Sequence, residues 1–212
     1  MKILEVKALQ IEQVKVIRFA RFCDHRGYFT ETFRKDDFKA HPQMVFMRDV
    51  ELLQCNQSYS KKGALRGLHF QWNPYMGKLV RTLTGRMVDM VLDIRKGSPT
   101  FGKILLYDMP ANHQADYDQW IWVPPGFAHG NFFLEETVIE YFCSAQYNPV
   151  CEAGISPFAR DIDWTLCDRR LKQVFDATAS SSVLISDKDK KGYSLNGWSG
   201  SAQSDNFIYG RL

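Results

Sequence analysis

The chain has 212 residues, 45% hydrophobic and 14% aromatic, enough apolar side chain for a single globular domain with a substantial core. A formal net charge of +3 is too slight to argue for nucleic acid, though it permits an anionic small ligand. No apolar run reaches the roughly 18 residues of a membrane span and MKILEVKALQ lacks a signal-peptide core, so the expected setting is cytoplasmic, off the membrane.

In chain order, Ile3–Val6 and Gln13–Phe19 are rich in Ile, Val and Phe and read as strands. Asp24-His25-Arg26-Gly27 is a turn, followed by an expected strand Tyr28–Phe33 that alternates aromatic and polar residues. Arg26, Tyr28 and Glu31 there offer a cation, a ring and an acceptor at one sheet end, or equally a solvated edge. Arg34 to His41 reads as a helical turn stopped by Pro42. Period two then places Gln54, Asn56 and Ser58 on one strand face, and Lys61-Lys62-Gly63 is a turn.

Ala64–Gln71 is apolar and small except for Arg66 and His69, and Lys78 follows the turn Trp72–Gly77. Cations beside buried strands are costly unless they face a ligand or partner, so this stretch is the first place to seek a site. Leu79–Thr84 and Met87–Arg95 form a hairpin about Gly85-Arg86. Its second strand sets Val88, Met90, Leu92 and Ile94 on one face against Asp89, Val91 and Asp93 on the other. If that second face points inward, its carboxylates need a positive partner such as His69 or an arginine; otherwise it faces water.

Ser98–Gly102 is a loop, and Lys103–Met109 and Gln119–Val123 are strands. Pro124-Pro125-Gly126 forces a corner just before His129. Thr137–Ser144 alternates again with Ile139, Tyr141 and Cys143 on one face, and Tyr147-Asn148-Pro149 ends it. Asp163-Trp164 closes the sheet region. Asp168–Phe175 is an expected short helix and Ala177–Ser182 a linker of small residues. The tail from Tyr193 is either loosely ordered or docked through Trp198, Phe207 and Tyr209. About ten short strands with regular turns give an all-β expectation, a jelly-roll sandwich or barrel with a concave interior.

Three chemistries compete for the polar groups. Metal binding lacks its ligand set: Pro124-x-Gly126-x-x-His129 resembles half a cupin metal motif, but His69 has no His-x-His or nearby Glu. No metal or other cofactor is therefore expected. Hydrolysis lacks a Gly-x-Ser-x-Gly elbow, and the five cysteines (Cys23, Cys55, Cys143, Cys151, Cys167) form no Cys-x-x-Cys and read as reduced thiols. Proton transfer at carbon remains, with His69 as base, Tyr141 as acid and Lys78 to hold an enolate oxygen.

A string of motifs sharpens this reading. Asp24-x-Arg26-Gly27-x-Phe29-x-Glu31, Gln54-x-Asn56-x-Ser58, Leu65-Arg66-Gly67-Leu68-His69-Phe70-Gln71, Gly77-Lys78-Leu79-Val80 and Asp93-Ile94-Arg95-Lys96-x-Ser98-Pro99-Thr100-Phe101-Gly102 occur in that order. With Pro125-Gly126-Phe127-Ala128-His129-Gly130 and Tyr141 before Pro149, they resemble the dTDP-4-dehydrorhamnose 3,5-epimerase family over about residues 10–190. The resemblance implies a cupin-type double-stranded β-helix jelly roll without metal and with a few short helices, commonly a homodimer, acting on nucleotide-linked 4-keto-6-deoxy sugars.

Carried onto this chain, the resemblance makes His69 the base, Asp189 the aspartate that orients it and Asp89 a nearby carboxylate. Lys78 stabilises the enolate and Tyr141 returns a proton from the opposite face. Arg66 would bind diphosphate with Arg26 and Lys188 close by. Glu31, Gln54 and Asn56 would meet the nucleotide, Tyr28 would stack, and His129 would line the sugar pocket. Residues 1–175 would form the catalytic domain and 176–212 a segment carrying Asp189 and the tail. Gln146 stands where a family tyrosine would pack on the nucleotide or sugar, Gly154–Phe158 departs from the family pattern and the tail is longer. Those departures leave GDP- or CDP-linked sugars open as alternatives to dTDP. Inversion at one carbon rather than both, a related ketoisomerase and a non-catalytic sugar binder stand as further alternatives.

Overall fold

Strands whose two faces are both covered read as nearly continuous apolar runs, and Arg86–Asp93 is such a strand. The computed structural model describes residues 1–181 and 183–212. In chain order its strands begin with β1 (Ile3–Ala8), β2 (Lys15–Ala20), β3 (Phe22–Asp24), β4 (Gly27–Phe29), β5 (Gln54–Ser60), β6 (Ala64–Gln71) and β7 (Lys78–Thr84). They continue with β8 (Arg86–Asp93), β9 (Ile104–Pro110), β10 (Tyr117–Val123), β11 (Phe127–Phe133), β12 (Thr137–Cys143), β13 (Glu152–Gly154) and β14 (Leu184–Ile185). The helices are α1 (Lys35–Ala40), α2 (Arg169–Ser180), α3 (Asp187–Lys190) and α4 (Leu195–Ser199), with short 3-10 turns between elements.

One sheet runs β1-β2-β10-β7-β12-β5 and the other β13-β6-β11-β8-β9, antiparallel throughout, with β14 added parallel to β6. This is the expected jelly-roll architecture. Val16, Val80, Val91, Leu105, Ile121 and Ile139 fill the space between the sheets at one end. Phe38, Met44 and Met47 cover the outer face of the first sheet over Leu79 and Trp120. The second sheet is covered by Phe175 of α2 and by Trp198 and Phe207 of the tail, packed on Phe70, Val88, Met90 and Leu92. Burial of these side chains is the main stabilising term, about 1.5–3 kcal/mol for each large one.

Three local readings change, and one left open is decided. The strand expected over Tyr28–Phe33 ends at Phe29, because β3 and β4 pair only from Phe22↔Phe29 to Asp24↔Gly27 and the Thr30 hydroxyl then donates to the Ala20 carbonyl. The helix begins after Asp168 as expected, the carboxylate accepting from the Arg170 and Leu171 amides, but continues to Ser180. Alanine favours helix, and Leu171, Val174 and Ala179 lie on the face that packs against the second sheet. Most of the expected linker Ala177–Ser182 is thus helical, while Ser182 lies outside the described residues. The tail is docked: Trp198 meets Phe70 at 4.6 Å between ring centroids, and Arg95 lies against both Phe127 and Tyr209.

The inward face of β8 is settled as well. Asp89 and Asp93 are fully buried. Asp93 accepts from Arg95, Ser98 and Thr100, whereas Asp89 pairs with His129 rather than His69. Among the described residues no helix is long and apolar enough to cross a membrane.

Candidate active site

At the other end of the inter-sheet space the apolar packing gives way to a cavity of about 760 Å³, walled by Arg66, His69, Lys78, His129, Tyr141 and Asp189 among others. Four strands bring these groups together: β6 supplies Arg66 and His69, β7 Lys78, β11 His129 and β12 Tyr141. Strands β6 and β11 approach so closely that a Cβ at Gly67 would lie 2.5 Å from the Gly130 Cα, and Gly67 has φ of +112°. Only glycine suits both demands. The pairing sets His69 directly across from His129.

Each histidine has its own carboxylate. His69 Nε2 is 2.7 Å from Asp189 Oδ1, and the Gly67 amide donates to Asp189 Oδ2 at 3.1 Å. Burial works against the Asp189 charge, but the bonds from His69 and Gly67 outweigh it and hold the carboxyl below its usual range. An ionised carboxylate only accepts, so the neutral His69 ring carries its proton on Nε2 and leaves Nδ1 basic. Ser186 caps α3 through the Asp189 amide and thereby fixes this carboxylate.

On the neighbouring strands of the same wall, Asp89 Oδ2 accepts from His129 Nε2 at 2.8 Å and from the Asn131 side-chain amide at 2.9 Å. Asp89 lies beneath the wall and reaches the cavity through His129. Burial pushes the Lys78 ammonium below the ordinary lysine value, against the pull of Cys143, Glu152 and Asp89. Burial likewise raises Tyr141, so its hydroxyl keeps its proton at neutral pH.

His69, Lys78 and Tyr141 also open onto a second lobe of about 360 Å³ with Gln54, Asn56, Tyr147 and Glu152. Gln54 donates to Asn56 Oδ1 and accepts from the Tyr147 amide, so both expected β5 residues sit on this wall. Lys188 lies in a neighbouring recess and bonds Glu152 at 2.6 Å.

Not every expected residue gathers here. Arg26 pairs with its neighbour Asp24, Tyr28 stacks near His113 and Arg21, and Glu31 holds the Met1 amine and Arg34. None of the three lines the cavity or its second lobe. Gln146 is solvent-exposed and contributes only its backbone carbonyl, to Gln71, while the adjacent Tyr147 places its ring on the second lobe.

Sequence reasoning missed Tyr147 and Glu152. Tyr147-Asn148-Pro149 signals a turn, and that turn, clasped by buried Gln71 through the Gln146 carbonyl and Asn148 amide, delivers the ring. Glu152 accepts from Tyr147 and Lys188; burial opposes its charge, but those bonds lower its carboxyl overall.

The family model for dTDP-4-dehydrorhamnose 3,5-epimerase matches residues 8–197. The enzyme of that name from Sinorhizobium fredii is 41% identical over 152 residues, covering 70% of this chain and 73% of its own. The one from Shigella flexneri is 36% identical over 193 residues, covering 89% and 94%. Among solved structures, the dTDP-6-deoxy-D-glucose-3,5-epimerase from Legionella pneumophila in complex with dTDP-4-keto-L-rhamnose has a TM-score of 0.78 at 29% identity, over 96% of this chain and 97% of that one. A 3'-monoepimerase from Streptomyces bikiniensis in complex with dTDP-quinovose has a TM-score of 0.73 at 27% identity, over 90% and 87%.

Proposed function

The chain belongs to the dTDP-4-dehydrorhamnose 3,5-epimerase family, and from that premise we propose how its own residues epimerise a dTDP-linked 4-keto-6-deoxy sugar. It is an isomerase that binds dTDP-sugars, as its relatives do. The observation that carries the reading is the His69–Asp189 pair opening onto a cavity shared with Lys78 and Tyr141.

The C4 carbonyl acidifies the protons at C3 and C5. His69 Nδ1 takes one of them, and the resulting imidazolium is stabilised by ionised Asp189. Lys78 donates to the enolate oxygen as negative charge grows there. Tyr141, protonated because it is buried, delivers a proton to the opposite face of the ring. His129, fixed by Asp89, borders the sugar. Arg66 binds the diphosphate with Lys188 nearby, and Gln54, Asn56 and the Tyr147 ring hold the nucleotide.

Arg26, Tyr28 and Glu31 fit this scheme in a homodimer, where the β3–β4 ribbon of one protomer reaches the other's cavity. Phe22 and Phe29 on that ribbon are 52% and 66% exposed, apolar surface suited to a second copy. A monomer in sedimentation equilibrium would contradict the dimer. Residues 1–175 form the catalytic jelly roll in this reading, and 176–212 deliver Asp189 and close the outer face. The free thiols fit a cytoplasmic setting.

We assign inversion at both carbons, since His69, Lys78 and Tyr141 are all in place. Incubation with dTDP-4-keto-6-deoxyglucose, followed by NMR assignment of the product, should show C3 and C5 both inverted. One inverted and one retained centre would overturn the double assignment.

A further inference from the structure

From the contacts of Arg66 we infer that Ser60, a buried hydroxyl on β5, is a positioning residue that presets this guanidinium for the diphosphate. The inference rests on the reading of Arg66 given above. Ser60 is 2% exposed and sits on the edge strand of the first sheet, opposite Thr137 of β12. Its Oγ accepts from Arg66 Nε at 2.9 Å, and the preceding Tyr59 carbonyl accepts from Arg66 Nη2 at 3.2 Å.

Arg66 comes from the other sheet, so these two bonds cross the turn between β5 and β6 and pin the long side chain along its inner edge. Guanidinium is planar and offers its donors in a fixed fork. With Nε and one Nη2 hydrogen held by β5, the edge formed by Nη1 and the remaining Nη2 hydrogen stays available. That edge is the one that can grip two phosphate oxygens side by side. Ser58, Ser60 and Lys61 line the same cavity as Arg66, which places the preset fork on the ligand side.

Arg66 itself is exposed, so without the clamp it would sample many rotamers. Freezing one such side chain on binding weakens affinity by about three- to tenfold, and Ser60 spares the ligand that loss. The hydroxyl touches none of the reacting carbons, so its effect falls on binding and leaves the chemical step alone.

The test is a double-mutant cycle read by titration calorimetry with dTDP and by steady-state kinetics on the dTDP-4-keto-6-deoxy sugar. Ser60→Ala should raise Kd for dTDP and KM by about three- to tenfold, with kcat within about twofold of the parent. Ser60→Thr keeps the hydroxyl and should restore both values. In an Arg66→Ala background, Ser60→Ala should add nothing further. If Arg66→Ala weakens dTDP but Ser60→Ala does not, or if the two losses simply add, the positioning role is overturned. If Arg66→Ala itself leaves dTDP affinity unchanged, the diphosphate reading fails first.

Discussion

Two histidine–carboxylate pairs face each other across β6 and β11, and they are built differently. His129 and Asp89 both stand on central strands of one sheet, and both are almost entirely buried. His69 stands on a strand too, but its partner Asp189 comes from a helical turn outside the barrel, and the ring's side chain is 30% exposed. The first pair is locked into the framework. The second leaves its ring part-exposed at the cavity, while its carboxylate is almost fully buried behind it. In the proposed mechanism the same two residue types thus serve in one place to hold a cavity wall and in the other to move a proton.

Breaking the open pair should cost rate. His69→Ala, and separately Tyr141→Phe, should lower kcat by roughly 10² to 10⁴ while leaving the melting temperature close to the parent's. A His69→Ala variant with full turnover would remove it as the base. Breaking the locked pair should cost stability instead. His129→Leu fills the space but leaves the buried Asp89 carboxyl with only Asn131 bonded to it, a loss of about 3 kcal/mol measurable by urea unfolding. Unchanged stability would show that the two pairs do not divide their roles in this way.

Arg66→Ala sharpens the contrast from the binding side. Diphosphate contacts exist in ground and transition states alike, so KM should rise by about tenfold or more with kcat little changed. A fall in kcat at constant KM would place Arg66 among the groups that act on the reacting carbons.

The smallest effect concerns pH. The Asp189 carboxyl is held below its ordinary value of 3.8 in the folded protein. Such a group adds stability that is complete above the ordinary value and is lost as pH falls through the lowered one. Asp189→Asn should therefore cost about 1 kcal/mol near neutral pH, and the gap from the parent should close below about pH 4. A gap that stays constant down to the acid transition would mean that the charge of Asp189 contributes nothing to stability.

Much of the fold was legible from period and turn chemistry, because a strand such as Thr137–Cys143 alternates cleanly and the corner at Pro124-Pro125-Gly126 admits few alternatives. The helix end was not, since Ala177–Ser180 is helical only because its neighbours find the second sheet to pack on. At the site, His69, Lys78 and Tyr141 stood out as polar residues within apolar runs. Partner choice did not stand out: Asp89 is bound to His129 through strand register, a long-range property that no local pattern carries. Tyr147 and Glu152 were hidden for a similar reason, since a turn held by Gln71 decides where they point. Arg26, Tyr28 and Glu31 carry the motif resemblance but line neither lobe of the cavity.

The most direct test of His69 as the base at an activated carbon is solvent exchange followed by proton NMR. The protein is added to dTDP-4-keto-6-deoxyglucose in D₂O, and the C3 and C5 proton signals are followed for the parent and for His69→Ala. Loss of both signals with the parent and persistence of both with the variant is the expected result. Exchange that proceeds equally in His69→Ala, or no exchange with the parent, would contradict the assignment of His69 and its partner Asp189 as the proton-abstracting pair.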